Sequence, residues 1–283
     1  MRPQPEEERA EIPLFRIAPV RGLNHPDLVE CWHNRELFRA LVWRDLAVRY
    51  QHTALGVAWV VIQPLATMLV LALIMGTFAH VPSPGVPYCL IAFCGLLAWT
   101  LNSRGLNEGS RSLLVHEELL KKVYFPRLFI PATPVASALV DVSIMTVALL
   151  VTTLAVGLPL GPHALLLPVF LAMSFLLALS TACLFSACDL LYRDVRHLIP
   201  FIGQMWFFLS PVIYPSSLVP PAWRWLYNLN PIVAVVDGIR WSLLGSPPPA
   251  PGLIAESIAG ILLIGAIGTY VFRAIESTMA DTI

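Results

Sequence analysis

Six apolar stretches separated by short polar connections organise the chain, at roughly residues 55–79, 88–106, 129–156, 164–187, 198–214 and 252–273. Each comes close to the ~20 mostly apolar residues that a bilayer-crossing helix needs. The pattern predicts an all-α integral membrane protein with six transmembrane helices. The gaps are short and no fixed-period repeat is present, so residues 35–283 read as one helical bundle behind a cytosolic N-terminal tail, 1–34. That tail begins "MRPQPEEERAE", acidic and proline-bearing, with no apolar run before about residue 54. This is not the pattern of a secretory signal.

Three further segments flank the spans. "ELFRALVWRDLAVRYQHT" (36–53) predicts a helix on which Val42, Trp43, Leu46, Ala47 and Tyr50 share a face, with Arg44, Asp45 and Val48 roughly opposite. Arg39 interrupts the apolar face, but arginine stems snorkel and Trp and Tyr suit the headgroup region, so an interfacial amphipathic helix is expected to lead into the first span. "SLLVHEELLKKVYF" (112–125) predicts a short helix, capped by Ser110 or Ser112 and ended by Pro126. It pairs Glu117 with Lys121 and Glu118 with Lys122 at i,i+4, acid first, in the sense that suits the helix dipole. Leu113, Leu120 and Tyr124 lie along one side with His116 between them. A helix held against the cytosolic face and a solvated connector both fit this spacing. Residues 216–250 carry Trp223, Trp225, Tyr227 and Trp241 among apolar neighbours, broken by Pro220, Pro221 and Pro231. Too interrupted to span and too apolar for a free loop, they predict an external re-entrant helical hairpin before the last span.

Composition supports the membrane reading. The chain is 57% hydrophobic and 13% charged, with mean hydropathy +0.72, against about 45–50% and about 25% in soluble domains. Zero net charge gives no support for nucleic-acid binding. Sixteen of the eighteen Lys and Arg residues fall on one side of the predicted topology. They are Arg2, Arg9, Arg16, Arg21, Arg35, Arg39, Arg44 and Arg49 before the first span and Arg104, Arg111, Lys121, Lys122 and Arg127 after the second. Arg193 and Arg196 follow the fourth, and Arg273 closes the last. Only Arg224 and Arg240 lie opposite, so both termini are expected in the cytoplasm.

The candidate chemistry is mostly a set of exclusions. No Gly-Lys pair exists, so no P-loop cradles a nucleotide; no G-x-S-x-G elbow is present either. "HEELL" has Leu120 where a zinc protease motif needs histidine. Cys31, Cys89, Cys94, Cys183 and Cys188 are odd in number, lack metal-ligand spacing and read as small hydrophobes. No catalytic or metal-binding residues are nominated. Asp141 sits within a predicted span, where a charge costs about 3 kcal/mol, so it must face protein or water. A neighbouring hydroxyl and a place on a transport path both suit it. Pro64, Pro131, Pro134, Pro168, Pro200 and Pro211 interrupt the spans, as in broken transporter helices or in passive packing.

Several motifs together carry a family resemblance: "RDLAVRYQHTALGVAWVVIQPL" (44–65), "LLKKVYFPRLFIP" (119–131), "YRDVRHLIPFIGQMWFFLSPVIYP" (192–215), "NLNPIVAVVDGIRWSLLG" (228–245) and the terminal "FRAIESTMADTI". With the order of segments, they resemble the membrane (permease) subunit of a type-two ABC exporter, in the polysaccharide-export branch of O-antigen, teichoic-acid and capsule permeases. The resemblance covers residues 35–283. It implies a homodimer in a bacterial cytoplasmic membrane that binds two copies of a separate P-loop ATPase, where ATP and Mg reside, with no cofactor in this chain. Glu117, Glu118, Lys121 and Lys122 become the contact with that ATPase. The translocation path would run between protomers along spans one and five, nominating Trp59, Gln63, Gln204, Trp206, Phe207, Phe208 and Tyr214. The implied substrate is a polyprenyl-diphosphate-linked polysaccharide, for whose diphosphate Arg44, Arg49 and Arg104 are candidates through charge-assisted hydrogen bonds. The same arginines also suit a purely orienting role. An exporter of a drug or smaller lipid is the alternative within this architecture. An integral-membrane enzyme acting on lipid-linked sugars would need clustered acids or histidines. A stand-alone channel or proton-coupled carrier would need more mid-span charge.

Overall fold

The long apolar runs satisfy their backbone internally as helices even with Pro64, Pro134 and Pro200 inside them, and every regular element described is a helix. The computed structural model describes residues 28–51, 56–81, 85–122 and 125–276. Residues 1–27, Tyr124 and the end of the C-terminal motif from residue 277 lie outside it. The elements are α1 (Leu28–His33), α2 (Arg35–Tyr50), α3 (Trp59–Leu71), α4 (Tyr88–Arg104), α5 (Ser110–Val115), α6 (Glu117–Lys122) and α7 (Phe129–Ala155). They continue with α8 (Leu167–Leu191), α9 (Val195–Leu209), α10 (Arg224–Asn228), α11 (Ile232–Leu244) and α12 (Pro251–Glu276). Five continuous helical runs among the described residues are long and apolar enough to cross a membrane: Gly56–Phe78, Tyr88–Val115, Phe129–Ala155, Pro162–Leu191 and Pro251–Glu276.

The stretch expected as the fifth of six spans, 198–214, is the exception. Its helix α9 has 15 residues, about 22 Å of rise against the ~30 Å of a hydrocarbon core, and ends where Ser210 turns extended ahead of Pro211. The segment expected as one helix over 112–125 also differs. Ser110 and Ser112 do not cap; they bond back to the carbonyls of Asn107 and Gly109. The reason is that α5 continues α4 through a π turn at Gly105–Gly109, and the helix breaks instead at His116, before α6. Leu113 is fully buried.

The centre of the bundle is α8, which touches α4, α5, α7, α11 and α12. Close approach depends on missing side chains: a Cβ on Gly105 would sit 2.3 Å from the Ala178 carbonyl oxygen of α8. Leu97, Leu101, Val142, Leu149, Leu177 and Ile239 fill the space between, all buried. Outward, Leu69, Val70, Val147, Leu165 and Leu262 are exposed, which a helix bordered by lipid tolerates.

On α2 the packed face overlaps the expected one, with Val42, Leu46, Ala47 and Tyr50 half-buried and Arg44 and Val48 exposed, but its most buried positions lie to one side of it. Leu41 is buried, and Phe38 meets Phe129 of α7 at 5.0 Å between ring centroids, while Trp43 is 73% exposed. Asp45, placed opposite the apolar face by its spacing, turns toward α7 because Arg49 and Ser137 bind it there.

Residues 216–250 form the two short helices expected, α10 and α11, and Gly245 ends α11 in the left-handed conformation at φ 65°. The helix is almost wholly buried against α4 and α8. Its Arg240 gathers the carbonyls freed by the end of α9, donating to Pro211 (2.5 Å), Tyr214 (3.3 Å) and Val212 (3.5 Å), and to Ile91 of α4 (3.2 Å). Tyr88 donates its hydroxyl to Ile213. Of the four nominated aromatics here, Trp223 and Trp225 are exposed, whereas Trp241 stacks on His163 at 5.9 Å and Tyr227 lies 6.4 Å from Tyr214. Replacing Arg240 with alanine removes a buried donor from four carbonyls and should cost about 3–5 kcal/mol. Arg240→Lys, with a point charge where a fork is needed, should recover less than half of it, read as unfolding temperature in detergent.

Candidate functional site

A cavity of about 910 Å³ opens where α2, α3, α4, α7 and α9 meet. One face of α3 contributes Trp59, Gln63 and Thr67, each four residues apart and so one turn above the last. Gln204, Phe207 and Phe208 come from α9, and Trp99, Thr100 and Ser103 from α4. Pro64 and Pro200, inside α3 and α9, also line the cavity. Trp99 is the aromatic hinge of the wall, edge-on to Phe207 at 5.3 Å and to Trp206 at 6.2 Å.

One end of the cavity is charged. Asp141, with its side chain 4% exposed, accepts a hydrogen bond from Arg49 Nη1 at 2.9 Å and one from the Tyr50 hydroxyl. Arg49 Nη2 reaches Glu108 at 2.9 Å and Asp45 at 3.0 Å. Arg104 pairs with Glu108 and lies 3.7 Å from Asp141. The π turn, wider than an α turn, lets Glu108 face both arginines from a helix that is otherwise buried. The cluster ties the end of α2 to α7 and to the α4–α5 helix. The Tyr50 phenol is pushed up to about 12, first by burial and then by its hydrogen bond to Asp141.

The structure therefore gathers seven of the nominated residues around one space: Trp59, Gln63, Gln204, Phe207, Phe208, Arg49 and Arg104. Trp206 stands behind the wall, its indole N–H donated to Asn230 at 2.8 Å. Tyr214 lies beyond the end of α9, donating to the Phe208 carbonyl at 3.2 Å. Arg44 is exposed on α2 and is not among the lining residues. The expectation that three arginines share a diphosphate meets a different arrangement, in which two of them already face carboxylates. Glu117–Lys121 (2.6 Å) and Glu118–Lys122 (3.1 Å) pair as expected on exposed α6, away from the cavity. Sequence reasoning missed Asp45, Glu108, Trp99 and Asn107. Asp45–Arg49 and Arg104–Glu108 were visible as i,i+4 pairs, but nothing local links either pair to Asp141.

A family model described as "ABC-2 type transporter" matches residues 36–244, a range that contains every element of this cavity. The chain belongs to the ABC-2 type transporter family. Among relatives of this ABC-2 chain is the O-antigen export system permease protein RfbA of Myxococcus xanthus, 27% identical over 90% of this chain and 98% of the relative. Another is RfbA of Klebsiella pneumoniae, 23% identical over 87% and 94%. The polysialic acid transport protein KpsM of Escherichia coli is 22% identical over 78% and 83%. Family and apolar helices together make this a multi-pass membrane protein.

Two outcomes follow from the cluster. Arg49→Ala strands a buried carboxylate and should destabilise the ABC-2 fold by about 3–5 kcal/mol, whereas Arg44→Ala should change it by less than about 0.5 kcal/mol, both measured by thermal unfolding in detergent. Because the folded state holds the Tyr50 proton more tightly, the stability this gives is complete below about pH 10 and is lost as pH rises toward about 12. Tyr50→Phe should remove that part of the alkaline fall in unfolding temperature.

Proposed function

We propose that this chain is the transmembrane subunit of an ATP-driven exporter that moves a lipid-linked polysaccharide across the bacterial cytoplasmic membrane. The observation that carries the reading is the wall of the cavity in a chain of this family. Trp59, Trp99, Phe207 and Phe208 offer flat apolar faces, and Gln63, Gln204 and Asn107 offer amides that can donate or accept. A sugar ring can slide along such faces without the many fixed hydrogen bonds that would stall a moving chain. The names of the relatives, O-antigen export permease and polysialic acid transport protein, point to polysaccharide as the substrate class and leave open whether this chain's polymer is neutral or anionic.

In this reading two copies of the chain face each other along α3 and α9, whose exposed apolar residues are otherwise without a protein neighbour to cover them, and each copy binds one separate ATPase. Trp206 and Tyr214 brace the path from behind. The sixth crossing is made by α9 together with the non-helical stretch to Tyr214, a backbone tolerable at membrane depth because Arg240 and Tyr88 take up its carbonyls. Residues 216–250 then re-enter from the outside, α2 lies in the cytosolic interface, and both termini are cytoplasmic, in keeping with the distribution of Lys and Arg.

Coupling runs through α6. Its exposed Glu117, Glu118, Lys121 and Lys122 suit a charged partner surface, and α5 links it to the π turn that carries Glu108. ATP-driven closure of the partner subunits would push α6 and, through α5, shift the charged end of the cavity. Arg44 is the one nominated diphosphate ligand not already facing carboxylates, and in this scheme the lipid end engages cations outside the cluster.

Purification in mild detergent tests this scheme. A P-loop ATPase should accompany the chain at equal stoichiometry and be lost, by at least about tenfold, when Glu117, Glu118, Lys121 and Lys122 are all replaced by alanine. Retention by that variant would move the contact elsewhere. No ATPase from a complex shown to be intact would favour the membrane enzyme instead.

A further inference from the structure

The charged end of the cavity has an electrostatic consequence for what can pass. Arg49 and Arg104 are the only cations among the described residues that line it, and both are already matched. Two arginines face three carboxylates, Asp45, Glu108 and Asp141, leaving the cluster a formal charge of −1. Arg49 spends its donors on all three, and Arg104 is held by Glu108 beside Asp141. A phosphate or sugar carboxylate that takes the remaining donors of Arg104 must do so beside Glu108 and Asp141, in a cluster that is already net negative. Asp141, 4% exposed, cannot rehydrate, and an unpaired buried charge costs several kcal/mol. Glu108, 38% exposed, is the carboxylate that faces the open space. Apolar walls focus its field into the cavity.

We infer that the cavity passes an uncharged stretch of saccharide and rejects chains bearing carboxylates or phosphates, by repulsion from Glu108 and by the prior neutralisation of Arg49 and Arg104. Selection here is negative: the aromatic and amide walls are indifferent to which neutral sugar slides by, and the ion cluster sets the penalty for an anionic one. The inference rests on the cavity being the saccharide path.

The test uses the full-length protein in nanodiscs and two probes of equal length, a neutral manno-oligosaccharide and an oligosialic acid, with tryptophan fluorescence as readout. Trp59→Phe assigns the part of the signal that arises in the cavity. The neutral probe should quench saturably and the oligosialate should bind at least about tenfold more weakly. Glu108→Gln brings the cluster to zero and Glu108→Gln with Asp141→Asn brings it to +1. Oligosialate affinity should climb stepwise along this series, by about tenfold or more in the double variant. Neutral-probe affinity should change less than about twofold. The gain should fade as salt rises, which a merely structural effect would not do. Should the double variant misfold, Glu108→Gln alone carries the comparison, since its side chain is the most accessible of the three carboxylates. Equal affinity of the native protein for both probes, or no salt-sensitive gain in a folded Glu108→Gln variant, would overturn the inference. Binding of neither probe would instead overturn the saccharide-path reading on which it rests.

Discussion

A carboxylate more than ten residues into an apolar helix has to be neutralised, and the way Asp141 is neutralised shapes everything around the cavity. Moving such a charge from water costs several kcal/mol, and a single partner about 4 Å away returns only about 4 kcal/mol at an effective dielectric near 20. Arg49 supplies the main bond at 2.9 Å, Tyr50 a second and Arg104 further charge. To deliver them, the last turn of α2 must lie against α7, and the α4–α5 helix must present Arg104 to the same point. Those two placements leave the space between α3 and α9 open. The cavity and the ion cluster thus arise from one constraint.

Much of the fold was legible because long apolar runs have few ways to satisfy their backbone in lipid. The spans at 55–79, 88–106, 129–156, 164–187 and 252–273 correspond to α3, α4, α7, α8 and α12, and the paired short helices at 216–250 are α10 and α11. What hydropathy could not show is where a helix stops being α-helical while remaining apolar. The α9 stretch is as hydrophobic as its neighbours, yet Pro211 and the Arg240 pin end it at Leu209. The gap expected between the second span and the short helix after it is instead closed by a π turn at Gly105–Gly109, where the missing side chains let α8 come within contact. Both departures are decided by residues distant in sequence.

The site divides along the same line. Trp59, Gln63, Gln204, Phe207 and Phe208 were reachable through the family resemblance, which nominated them, and the structure brings them around one cavity. The charged end was only half reachable. Asp45, Arg49, Arg104 and Glu108 form two i,i+4 pairs, and such pairs usually stabilise exposed helix surfaces by a few tenths of a kcal/mol. Their joint role comes from Asp141, ninety-two residues from Arg49 in sequence. Asp141 itself was recognised as needing a partner. Periodicity even placed Asp45 on the solvent side, because it weighs hydrophobic faces and is blind to a charge that another helix requires.

Rigidity in this arrangement is unevenly distributed, and that bears on how motion could travel. Leu113 of α5 is fully buried in the cluster with Leu41, Phe129, Ile130 and Phe272, so α5 cannot tilt without disturbing α2, α7 and α12. The break at His116 separates α6 from α5, though Leu119 and Leu120 of α6 still rest against the same cluster while its charged residues face outward. At the other end of α5 the π turn replaces the ordinary α-helical pattern, and Glu108 on it is bound by two arginines that could exchange their carboxylates with little change in total charge. Apolar packing ties α5 to α2, α7 and α12, and at its far end three carboxylates around two arginines keep each guanidinium matched.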